Sequence, residues 1–104
     1  MKDIHKFIQV VSENDFVAGH EVLEDKWREW KNNPDLREES FILKGLINGA
    51  TALALKVMKR DLPANQVWDT FKKYEPLIET LTCKNSSLYK QAQKLLHVKY
   101  AELF

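Results

Sequence analysis

Residues 45–58 read GLINGATALALKVM, the most apolar run in the chain. Apolar side chains fall on nearly every side of a 3.6-residue repeat here, a pattern that only a helix surrounded by other elements tolerates. The run is interrupted by Asn48, Thr51 and Lys56. It is also shorter than the ~20 residues a bilayer span needs. It therefore reads as the central, most buried helix of a globular protein. Gly45, Asn48, Gly49 and Ala52 share one sector of that helix, and two glycines in a helix interior cost roughly 2 kcal/mol in propensity. That cost implies a neighbouring helix packed closely against the sector.

The same periodicity continues on both sides. Acidic residues just after Asp35 and basic residues near Arg60 suit the two ends of a helix dipole, so the central helix is expected over about 35–60. Before it, a helix runs from Asp15, the N-cap, to Asn32, where Asn32-Asn33-Pro34 stops it. Its inner stripe is expected to be Phe16, His20, Leu23, Trp27 and Trp30. A shorter helix over about 3–12 precedes that one, with Ile4, Phe7, Ile8 and Val11 on one side.

Downstream, Asp61-Leu62-Pro63 restarts the chain with proline in a first turn, where its missing N–H is harmless. Val67, Phe71, Tyr74, Ile78 and Leu81 form the stripe, and Pro76 should divide this helix near Glu75. Lys84–Ser87 is a polar break capped by Ser86 or Ser87. The last helix buries Leu88, Ala92, Leu95, Leu96 and Leu103. Strict alternation persists nowhere, and 3 Gly and 3 Pro are too few to turn an all-β chain. The expected fold class is all-α: residues 1–104 as a single compact bundle-like domain of about five helices.

A net charge of +1 supplies no global field to recruit nucleic acid or acidic lipid. Residues 84–104 carry four Lys against one Glu, a mildly basic face of the usual solvated kind. Cys83 is the single cysteine, so an intrachain disulfide and multi-cysteine metal sites are both excluded. The N-terminal MKDIHKFIQVVSEND is too polar for a signal peptide, and a cytoplasmic location is expected. No membrane or nucleic-acid partner is expected. A small ligand or protein partner, and a monomer or homodimer, are.

One segment concentrates chemistry: His20, Glu21, Glu24, Trp27 and Arg28 lie on one helix. His20 and Glu24 are one turn apart, as are Glu24 and Arg28. An imidazole on an apolar stripe beside a carboxylate has its tautomer and orientation fixed, as a general base or metal ligand requires. A core histidine satisfied by one hydrogen bond, beside an ordinary surface ion pair, explains the same residues structurally. As metal ligands His20 and Glu24 are weak candidates, because HEVLE lacks the second histidine of HExxH. His5 and His97 look solvent-facing. No cofactor is predicted beyond that minor divalent-metal alternative.

Phe16, then His20-Glu21-Val22-Leu23-Glu24 and Trp27-Arg28, then Lys44-Gly45-Leu46-Ile47-Asn48 and Ala50, resembles the small bacterial and archaeal family described as domain-of-unknown-function family 309. The family pattern is an aromatic, AHExLExxWR, then QGLIxxA on the next long helix, and the likeness covers about residues 14–60. It implies an all-helical fold with the HExLE helix against the GLI helix, and it implies no activity. Many members continue the GLI helix into histidines where this chain has Ala54-Leu55-Lys56, and then into Gly-Asn where it has Arg60-Asp61.

The motif positions make the candidate pocket His20, Glu21, Glu24, Trp27, Arg28, Gly45 and Asn48. The favoured function is a helical binding or interaction domain with a pocket around His20, Glu24 and Trp27. The alternative is a hydrolase-like or metal-dependent enzyme using His20 and Glu24.

Overall fold

Leu43, Leu46, Ala50 and Leu53 are completely withdrawn from solvent and lie on one long helix, α4 (Arg37–Val57). A computed structural model describes residues 1–103 of the chain. Around α4 stand α1 (Lys2–Ser12), α2 (Phe16–Val22), α3 (Glu24–Trp30), α5 (Asp61–Tyr74), α6 (Pro76–Thr80) and α7 (Ser86–Leu103). No strand occurs among the described residues. The segments follow five helical paths, two of them broken once. The Cα radius of gyration is 12.6 Å, as expected of one compact domain at about 13 Å for 100 residues.

One break is the expected one: α5 ends at Tyr74, and Pro76 opens α6 in its first turn. The other corrects the continuous 15–32 helix. Leu23 separates α2 from α3 with φ −95° and ψ −7°, while its side chain is fully buried. The bend lets α2 pack on both α1 and α4 while α3 follows α4. The start holds, since Asp15 Oδ1 accepts from the Ala18 backbone N–H at 3.1 Å.

The length of α4 also corrects the bilayer argument. At 21 residues, with a window of mean hydropathy 1.3, it is long and apolar enough to cross a membrane by length and composition, but 56% of that window is buried by the other helices.

Close approach at the central glycines is confirmed. A Cβ on Gly45 would stand 3.0 Å from Tyr74 Cβ, and one on Gly49 would stand 2.7 Å from Leu96 Cδ1. Gly19 does the same for α2: a Cβ there would meet Val11 Cγ2 at 2.8 Å and Ala50 Cβ at 3.3 Å. That contact turns α2 so that Phe16, Gly19 and Leu23 face inward. His20 is displaced to the edge of the stripe, with its side chain 38% exposed. Trp27 and Trp30 are partly buried rather than interior.

In the last helix Tyr89, which is outside the expected buried set, is fully buried. Its hydroxyl donates to Glu39 Oε2. Asn85 Nδ2 donates to the same oxygen at 3.1 Å, and Asn85 Oδ1 accepts from the Met1 ammonium at 3.2 Å. Burial, reinforced by the Glu39 carboxylate, holds the Tyr89 phenol far above its ordinary range. Ser86 opens α7, but its hydroxyl accepts from the Cys83 backbone N–H at 3.0 Å.

Candidate functional site

One stripe of α4 escapes cover. Phe41, Lys44, Asn48 and Thr51, at 3-4-3 spacing, are only half-buried. On one side of it α5 runs along the glycine sector, with Tyr74 at Gly45 and Phe71 at Gly49. On the other, Gly19 sits at Ala50 and Trp27 at Lys44, so α2 and α3 run antiparallel to α4. This register sets His20 and Glu24 level with Asn48 and Thr51, and it sets Trp27 and Lys31 beside Phe41 and Lys44. The stripe opens into a cavity at its α3–α4 end.

That end is a cleft of about 320 Å³ lined by Trp27, Lys31, Asn32, Arg37, Phe41 and Lys44. Its cations rest on aromatic faces. Lys31 Nζ is 4.6 Å from the Trp27 ring centroid, and Lys44 Nζ is 5.9 Å from the same ring and 5.7 Å from Tyr74. The Arg37 guanidinium stands 5.9 Å from Phe41, which stacks on Tyr74 with centroids 5.5 Å apart and planes within 3°. Cation–π contacts at such sites are worth about 0.5–1 kcal/mol each, less than a carboxylate at close range would supply when desolvated. Among the described residues no carboxylate comes within ion-pair distance of Lys31, Arg37 or Lys44.

The expected site residues divide. Glu24 joins His20 and Arg28 into a chain: His20 Nε2 lies 3.1 Å from Glu24 Oε1, and Arg28 Nη2 lies 2.9 Å from Glu24 Oε2. Arg28 also reaches Asp25 Oδ1 at 3.2 Å. Glu21 points into solvent outside this chain. Trp27 belongs to the cleft. Gly45 serves packing against Tyr74, and the Asn48 amide donates back to the Lys44 carbonyl at 2.7 Å. The imidazole therefore sits at the surface end of a charge chain, and the expectation of an inward ring is corrected. Among the described residues no three His, Cys, Asp or Glu side chains gather as a metal set would.

His97 faces solvent as expected, with its side chain 47% exposed, but it also has partners on α5 and at the α5–α6 break. Its Nε2 is hydrogen-bonded to Glu75 Oε1, which also accepts from Gln93 Nε2 at 3.1 Å. Its ring meets Trp68 edge-on at 5.3 Å. This cluster ties α7 to the α5–α6 break, while His5 is exposed.

Sequence reasoning missed Lys31, Arg37, Phe41, Lys44 and Tyr74 as site residues. A signal for some of them was present: Lys44, Asn48 and Thr51 are the polar interruptions of an apolar helix, and they recur on one face. Tyr74 left no such trace, because its place opposite Phe41 depends on where α5 returns.

A family model described as "Domain of unknown function (DUF309)" matches residues 4–64. No curated protein and no solved structure matches the chain. The matched segment holds every residue lining the cleft, together with the His20–Glu24–Arg28 chain, and leaves out Tyr74 and all of α6 and α7. Spanning more than half of the sequence, this match makes the chain a member of the DUF309 family.

Proposed function

We propose that this chain is a cytoplasmic, non-enzymatic binding domain that holds an anionic ligand in the cleft between α3 and α4. The observation that carries the reading is the set of three cations, Lys31, Arg37 and Lys44, gathered around an open cleft with no carboxylate partner among the described residues. A folded chain with 15 acidic residues had counter-ions to place there, yet aromatic faces occupy the position instead. An incoming anion gains all three charges without first displacing an ion pair. The cytoplasmic placement is supported by the lone thiol, Cys83, in a chain that contains no second cysteine.

Titration calorimetry with phosphate, pyrophosphate and citrate tests the reading. Saturable binding of at least one of them to the wild type is expected, with Lys44→Gln about tenfold weaker. No binding by the wild type, or equal binding by the variant, ends it. The alternative, hydrolase-like or metal-dependent chemistry through His20 and Glu24, is supported by their fixed 3.1 Å pairing alone.

A further inference from the structure

We infer that the anion held at Trp27, Lys31, Arg37 and Lys44 is the phosphate of a nucleotide unit whose base stacks on the Trp27 indole; this rests on the anion-binding reading above. Three positive side chains converge from two elements. Lys31 comes from the residue that ends α3, Arg37 from the first turn of α4, and Lys44 from two turns further on. Such a concentration suits the two negative charges of a phosphate monoester, or successive phosphodiesters, better than a single carboxylate.

Lys31 and Lys44 both rest against the Trp27 ring. A phosphate that draws their ammonium groups together also uncovers the indole, so charge neutralisation and a stacking surface arise in one movement. Base–aromatic stacking is tolerant of base identity and strong enough to select a nucleotide over a bare anion. Asn32, whose amide has no hydrogen-bond partner among the described residues, stands at the same cleft. It offers the donor–acceptor pair that reads a base edge.

The volume, about 320 Å³, lies at the small end of the roughly 300–1,000 Å³ range of small-ligand sites and has room for one such unit. An acidic peptide would answer the charge and leave the flat Trp27 face unused. The same nucleotide chemistry is offered by a free mononucleotide or by one residue of a single strand.

Binding is read by quenching of tryptophan fluorescence, with adenosine monophosphate and a single-stranded decauridylate as probes and pyrophosphate and polyglutamate as controls. Nucleotide binding about tenfold tighter than pyrophosphate is expected. Trp27→Leu should abolish that margin and Trp27→Phe, which keeps a flat ring, should retain it. Lys44→Gln should weaken every anion, and circular dichroism checks that each variant is folded.

Binding of adenosine monophosphate alone identifies a free nucleotide. Binding of the decauridylate alone, with an affinity that falls steeply with salt, identifies a strand. Either outcome sustains the inference. Pyrophosphate or polyglutamate binding as tightly as the nucleotides overturns it and leaves the anion site standing. Failure of every anion removes both.

Discussion

The Tyr89 hydroxyl donates to the Glu39 carboxylate across fifty residues of chain, and this bond fastens α7 to the first turns of α4. Tyr89→Phe leaves Glu39 with Asn85 but removes a charge-assisted bond from a buried position. It should cost about 1–3 kcal/mol in urea denaturation at neutral pH. A phenol raised in the folded state stabilises fully below its unfolded pKa of about 10, and that stability drains away as pH climbs above it. The wild type should therefore lose stability between pH 10 and 12 more steeply than Tyr89→Phe. Parallel curves for the two proteins would contradict the assigned burial.

Gly45 marks a close approach of α4 and α5, because a Cβ there would meet Tyr74 Cβ at 3.0 Å. That Tyr74 atom sits next to backbone and cannot swing aside. Gly45→Leu should therefore cost more than the ~1–3 kcal/mol of ordinary overpacking. Should it fail to fold, Gly45→Ala gives the measurable version, a lowered urea midpoint despite alanine's better helix propensity. A raised midpoint for either variant would show that the helices have room.

His20 and Glu24 are 38% and 27% exposed at their side chains, so water already solvates both. Exposed pairs of this kind contribute less than about 1 kcal/mol. Both His20→Ala and Glu24→Gln should stay within that limit on chemical denaturation. Losses above ~2 kcal/mol would place the pair in the core after all.

Lys59 ends α4 with φ +60°, and the Arg60 N–H closes the turn on the Leu55 carbonyl at 2.9 Å. Left-handed backbone costs a residue with a Cβ about 1 kcal/mol or more, and glycine is the usual occupant of this position. Lys59→Gly should raise stability by roughly 0.5–1 kcal/mol, offset in part by the looser unfolded chain. Lys59→Ala, which retains the Cβ, should leave the melting temperature close to wild type.

The helices and their order were legible in the chain because they follow from local rules. Apolar residues at 3.6-residue spacing, Asp15 as a cap and Pro76 as a breaker act within one or two turns, and they placed the helix starts and the α5–α6 division, though not the break at Leu23. The glycines of GLINGA announced close packing for the same reason: their cost is local even though the benefit is not. Family membership was readable from the spacing of His20, Glu24, Trp27 and Gly45, since that pattern lies within one short stretch of chain on three consecutive elements.

What faced what depended on contacts between distant parts of the chain. Gly19 admits Val11 and Ala50, and so turns α2 by enough to bring His20 from the stripe to the edge. No property of residues 15–32 alone specifies that rotation. Tyr89 is interior because Glu39 and Asn85 wait for its hydroxyl, although its own neighbours Ser87, Lys90 and Gln91 are exposed. The cleft at Trp27 needed α3, α4 and α5 in register before Lys44 could lie between two rings. Helix formation is a near-neighbour equilibrium, whereas the direction each side chain faces is set by steric fit between surfaces that meet only once the chain has folded.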